Sequence, residues 1–173
     1  MRSHWISSAL AVIAGSLALT VVSHAPANAS PQLVAFGGYE PGAVVVRTHE
    51  RALYAVLGNG TAVRYPVAVG KPGKQWFGRR VIDAKYIEPA WSPPAEVKRD
   101  NPRLPDVIPG GSPHNPMGVA AMTISPGEYA VHGTNMPNSI GRYASYGCIR
   151  MYNEDISDLI QRVRVGAPII VTP

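Results

Sequence analysis

A single cysteine, Cys148, stands in the 173 residues, so no internal disulfide can brace the chain and no CxxC pair can bind metal or run a dithiol cycle. HExxH and GxSxG are also missing, which removes the helical zinc-protease and serine-elbow layouts. Charged residues make up only 16% of the chain, and the basic ones are scattered without a recognition helix or an aromatic-basic repeat. Nucleic acid is therefore not expected as a partner. No acidic residue lies between Glu128 and Glu154, so a histidine in that stretch must be oriented by something other than a nearby carboxylate. There is no internal repeat and no sign of a second domain.

What is present points to strands and turns. Seventeen glycines, seventeen prolines, eight tyrosines and many valines suit a strand-rich fold with frequent turns, not a helical bundle. The first 29 residues place Arg2 before an apolar run from about Ile6 to Val22, and Ala27 and Ala29 stand before a small-residue cleavage point. This predicts a cleaved secretory signal peptide over 1–29. The Ala-Asn-Ala end and the lack of a basic stop argue against a retained membrane anchor, so no stable membrane insertion is expected after cleavage. The chain left by that cleavage keeps eleven acidic and fifteen basic residues, a mild positive balance that favours an acidic polymer or surface.

Residues 43–48, 52–57 and 62–70 read as three antiparallel strands, with Asn59-Gly60 as a hairpin signal. One face of that meander should be covered and the other free to meet water. A strand is expected over 81–87. The proline-rich stretch from Pro89 to Pro116 reads equally as an irregular connection packed by Trp91 or as a substrate lid. Residues 118–124 and 128–132 form two further strands, which deliver His132 to a strand end. Ile156, Leu159, Ile160 and Val163 have helical spacing, with Asn153 placed to cap the helix. Residues 167–172 read as a closing strand.

The chemistry gathers in the stretch from His132 to Asn153. Cys148 follows His132 by sixteen residues, a separation that a strand end and a glycine-rich return loop can close. His132 is the partner that would lower the thiol pKa as an ion pair and later protonate a leaving amine, its ring held by a carbonyl near Gly133. Tyr146, Gly147 and Cys148 offer consecutive backbone N–H groups for a developing oxyanion. Arg150 suits a substrate carboxylate or a structural ion pair. Ser145, Asn135 and Ser139 read either as loop braces or as substrate contacts. A zinc set of Cys148, His132 and His114 lacks any ligand-spacing motif, and His114 reads as incidental, so no metal is expected.

The stretch HGTNMPNSIGRYASYGCIRMYNEDISDL resembles the signature of the bacterial L,D-transpeptidase family. LYAVLGNGTAVRYPVAVG, the Lys85 to Pro94 pattern and VGAPIIV match that family's style as well, so the likeness runs from about Gly42 to Val171. It implies a mostly β, sandwich-like domain over 42–173, after a short extension at 30–41, with a short helix following the cysteine. By resemblance Cys148 is the nucleophile, His132 the base and Gly133 the source of the orienting carbonyl. Gly147 and the amides beside Cys148 match the oxyanion loop, and Arg150 matches an arginine found in one branch. Many members carry histidine where this chain has Tyr146, which cannot serve as a second imidazole. The implied reaction is acyl transfer on peptidoglycan tetrapeptide stems, without a cofactor. It yields 3→3 cross-links or attachment of an envelope protein to the wall, in an exported, periplasmic, wall-associated setting. An L,D-carboxypeptidase and a non-catalytic peptidoglycan-binding module are the alternatives.

Overall fold

The structure is a computed structural model that describes residues 31–173, so the expected signal peptide lies outside the described residues. The valine-rich runs form the expected first meander, β2 (Val44–Arg47), β3 (Ala52–Gly58) and β4 (Thr61–Pro66). Asn59 and Gly60, at φ 51° and 71°, supply the two left-handed residues that a tight hairpin with the correct twist requires. Residues 30–41, read as an extension, contribute β1 (Gln32–Ala35), which pairs antiparallel with β4.

A short β5 (Val69–Gly70) leads to the second meander of β6 (Gly78–Ile87), β7 (Ala120–Ser125) and β8 (Tyr129–His132). The six-residue α1 (Ala95–Asp100) lies within the proline-rich stretch. Beyond β8 come β9 (Tyr143–Ser145), β10 (Ile149–Arg150), α2 (Asn153–Arg162) and β11 (Pro168–Thr172). Nine strands make one sheet in the order β1-β4-β3-β2-β11-β6-β7-β8-β10, while β5 and β9 form a small parallel pair. The C-terminal strand therefore joins the two meanders, parallel to β2 and antiparallel to β6.

One core draws Leu53 and Tyr65 from the first meander, Met122 and Ile124 from the second, and Ile156 and Leu159 from α2. The two halves of the sheet thus share one apolar interior, the mostly β, sandwich-like arrangement expected. The outer face of the first meander differs from expectation, because Val45, Tyr54 and Val56 are buried there with Phe36 rather than facing water. Phe36 stacks on Tyr54 at 4.1 Å. The uninterrupted Val44-Val45-Val46 run already suits a strand covered on both sides.

α2 buries its apolar stripe as its spacing predicts, but Asn153 does not cap it. Tyr152 occupies the N-cap without a side-chain bond, and the Asn153 side chain turns toward the active-site strands. Asp155, in the first turn, is buried with Oδ2 unpartnered, and burial foremost, then Glu154 and Asp158, pushes its pKa up to about 6. Because this carboxyl binds its proton more tightly when folded, its contribution is complete below about pH 4 and is lost as pH rises through about 6. Asp155→Asn should then raise stability by roughly 1–2 kcal/mol at about pH 7.5 and by almost nothing at about pH 4. Urea titrations at the two pH values measure this, and an equal gain at both would show that charge is not the cause.

Candidate active site

β8 and β10 run parallel, with Val131 opposite Ile149 and His132 opposite Arg150. In-register residues on parallel strands share a side and successive residues alternate. Val131 and Ile149 enter the core, so His132, Arg150 and, one alternation upstream, Cys148 belong to the opposite side. The intervening chain turns at Pro137–Ser139, pairs as β9 with β5, and returns through Gly147. His132, Cys148, Arg150, Ser145 and Tyr146 consequently line one cavity of about 600 Å³.

His132 is buried, and its Nδ1 lies 2.6 Å from the Gly133 carbonyl oxygen. A carbonyl can only accept, so Nδ1 carries the proton and Nε2 is the basic nitrogen. Burial foremost, reinforced by the Arg150 charge, pushes the His132 pKa down to about 4, against the opposing Gly133 and Pro116 carbonyls. Burial likewise pushes the Cys148 thiol up, opposed by the Ala130 backbone amide and the Arg150 charge. At neutral pH the resting pair is thiol and imidazole. Burial of the two groups thus weighs against the expected ion pair, because it disfavours both charged forms.

Ser145 is buried and braces the nucleophile turn, donating to the Cys148 carbonyl at 2.5 Å and accepting the Gly147 N–H at 3.1 Å. The Gly147 amide is therefore occupied and unavailable to the oxyanion assigned to it. Among the described residues, nothing accepts from the N–H of Tyr146 or of Cys148. Gly147 sits at φ 120°, and a Cβ there would stand 2.4 Å from Tyr129 Cε1, so only glycine fits. Trp76 donates from Nε1 to the Gly147 carbonyl at 2.9 Å and stacks on Tyr129 at 5.3 Å. Sequence reasoning missed both aromatics, since Trp76 lies before β6 and Tyr129 opens β8, and they meet only in the fold.

Asn135 and Ser139 are not brought to this cavity. Asn135 is exposed and donates to the Pro113 carbonyl at 3.3 Å, while Ser139 donates to Met136 O at 2.7 Å. Both act as loop braces, Asn135 toward the proline-rich stretch and Ser139 within the Pro137–Ser139 turn. His114 is exposed, and among the described residues no group of three or more His, Cys, Asp or Glu side chains is placed to hold a metal.

Asn153 lies outside the cavity lining but supports the site, a role that the sequence did not disclose. Its Oδ1 accepts from the N–H of Thr134 at 3.0 Å and of Val119 at 3.4 Å, tying α2 to the segment that presents Gly133. Cβ atoms at Gly118 and Gly133 would come within 2.2 and 2.3 Å of that oxygen. Asn153→Ala leaves the buried Thr134 amide unpaired, so a loss of about 1–3 kcal/mol is expected in urea unfolding. Asn153→Asp keeps the acceptor and should recover most of it; equal losses would show that the bond is not responsible.

Residues 41–171 match the L,D-transpeptidase catalytic domain of the YkuD type. The chain belongs to the L,D-transpeptidase catalytic-domain family. It is 35% identical over 147 residues to the Escherichia coli K12 protein named probable L,D-transpeptidase YbiS, a match covering 80% of this chain and 47% of that protein. The chain thus spans about half the length of such curated relatives. An L,D-transpeptidase structure from Mycobacterium smegmatis shares the fold with TM-score 0.60 at 20% identity, over 75% of this chain and 58% of that one. A Brucella melitensis structure called a probable carnitine operon oxidoreductase is 40% identical with TM-score 0.55, covering 83% and 93% of the two chains.

In this L,D-transpeptidase domain the proline-rich stretch forms one wall of the cavity through Trp91, Pro94, Ala95, Glu96 and Arg99. It is an organised wall. Trp91 and Ile108 exchange backbone bonds of 2.8 Å, and buried Asn115 donates to the carbonyls of Pro89 and Pro109 at 2.8 and 3.0 Å.

Proposed function

We propose that the domain is a peptidoglycan L,D-transpeptidase that works through a Cys148 thioester. The observation that carries this reading is the placement of Cys148 and a Gly133-oriented His132 on the same side of two parallel strands, inside one cavity. In the first half-reaction Nε2 of His132 accepts the thiol proton as Sγ bonds to the carbonyl carbon between the diamino acid and terminal D-alanine of a tetrapeptide stem. The N–H groups of Tyr146 and Cys148 receive the oxyanion. Collapse breaks the C–N bond, and the imidazolium returns its proton to the departing D-alanine amine. In the second half-reaction an amine attacks the thioester and sulfur leaves as the thiol.

Arg150 forms no ion pair among the described residues and lines the cavity, which suits it to a stem carboxylate. The proposed acceptor is the side-chain amine of another stem, with an amine on an envelope protein as the second class, and the proposed location is the periplasm after signal-peptide removal. Product analysis with disaccharide-tetrapeptide tests the reading. Released D-alanine together with a cross-linked dimer supports it. Tripeptide as the sole product in the presence of excess acceptor amine would make the protein a carboxypeptidase, and no turnover at all would leave a wall-binding module.

A further inference from the structure

We infer that Tyr146, Asp100 and Lys71 form a polar clasp that holds α1 over the acyl-enzyme and thereby sets how the thioester divides between amine and water. The inference rests on the transpeptidase reading for its chemical consequence, but the clasp itself stands on geometry. α1 has no buried residue, so apolar packing does not fix it in place. Its attachments are polar. The Tyr146 hydroxyl donates to Asp100 Oδ2, and Lys71 Nζ lies 3.7 Å from the centre of the Tyr146 ring and 3.9 Å from the same carboxylate oxygen. Lys74 pairs with Glu96 at the other end of the helix. The Lys71 N–H is bonded to the Ser145 carbonyl at 2.9 Å, which anchors the clasp to the turn carrying the nucleophile. Ala95, Glu96 and Arg99 then face the cavity that contains Cys148.

Tyr146 thus has a role that the histidine common at this position would not fill in the same way, since the phenol reaches Asp100 while its ring receives Lys71. Hydrolysis and transfer use the same machinery. In either case a new bond forms from oxygen or nitrogen to the thioester carbonyl carbon, the C–S bond breaks, and His132 conveys a proton from the attacking group to Sγ. The ratio of products is consequently decided by which nucleophile reaches the carbonyl, and a seated α1 restricts water. Tyr146 and Asp100 are positioning residues in this scheme.

Asp100→Ala and Asp100→Asn in the full chain test the clasp by two readouts. Alanine is the better helix former and removes a negative charge from the negative end of α1, so the isolated helix is not weakened by the change. Faster hydrogen exchange at the amides of Lys98 and Asn101, which close the helix onto Pro94 and Val97, then reports loss of the clasp. We expect Asp100→Ala to speed that exchange roughly two- to fivefold, with a rise of about the same factor in the ratio of tripeptide to cross-linked dimer. Asp100→Asn keeps an acceptor for the Tyr146 hydroxyl and should restore most of both values. Unchanged exchange in Asp100→Ala would overturn the clasp, and faster exchange with an unchanged product ratio would overturn its role in partitioning. Exchange requires no substrate, so it decides the clasp even if the wild-type protein turns over no stem and the transpeptidase reading falls.

Discussion

Cys148→Ala is expected to lower kcat/KM on tetrapeptide stems by about 10⁴-fold or more while leaving a folded protein that still binds them. The reaction needs a sulfur to hold the acyl group between donor and acceptor, and no other cysteine in the chain can substitute. Removing that atom leaves the cavity, the Arg150 cation and the backbone amides in place. Cys148 lies outside the main apolar core, so its truncation should change stability by less than about 1 kcal/mol. Calorimetric titration with disaccharide-tetrapeptide should therefore give a dissociation constant within a few-fold of wild type, even as intact-mass analysis finds no acyl adduct. Retention of more than about a hundredth of the wild-type rate would exclude a covalent Cys148 intermediate.

Cys148 and His132 could be found in the sequence because a rare residue type and a lone histidine stand among turn residues in one stretch. The strand that delivers His132 was also legible, as was the first meander with its Asn59-Gly60 turn, since alternation and turn residues are local signals that tertiary contacts did not override; β9 and β10, which flank Cys148, are too short to show such alternation. Asn153 was misread for a physical reason. An asparagine before a helical stripe has two competing uses, a local cap or distant backbone donors, and only the approach of Gly118 and Gly133 decides between them. The same limit applies to the Gly147 amide, whose capture by Ser145 depends on the conformation of a single turn. Trp76, Tyr129, Asp100 and Lys71 lie far from Cys148 in the chain, and their contacts are set by strand pairing across β5–β9 and β6–β7–β8. The central position of β11 was equally hidden, because period-2 alternation specifies a strand but not its neighbours.

His132→Gln should reduce kcat/KM by about 10²- to 10⁴-fold, since the amide fills similar space yet cannot take the thiol proton. The wild-type profile of kcat/KM against pH separates the neutral pair from an ion pair. With His132 pushed down to about 4, its basic form is already dominant well below neutrality, so the ascending limb should lie near about pH 4 rather than at the ordinary imidazole value. Activity should then stay level through neutral pH. A descending limb between about pH 7 and 9 from an imidazolium losing its proton would instead establish a resting ion pair.

The same group also links stability to pH, with a definite sign. A depressed folded pKa means that the unfolded chain binds the proton first, so the contribution is complete above about pH 6.5 and is lost as pH falls toward about 4. The full span is roughly 3 kcal/mol, and His132→Gln should flatten that part of the curve whatever its cost at neutral pH. Asp155 titrates in an overlapping window with the opposite sign, so Asp155→Asn is the background in which the His132 slope should become steeper. A stability curve that is unchanged in slope by His132→Gln would show that the imidazole is not held neutral by burial. The level activity profile would then need another origin, and the concerted proton transfer from thiol to imidazole would lose its physical basis.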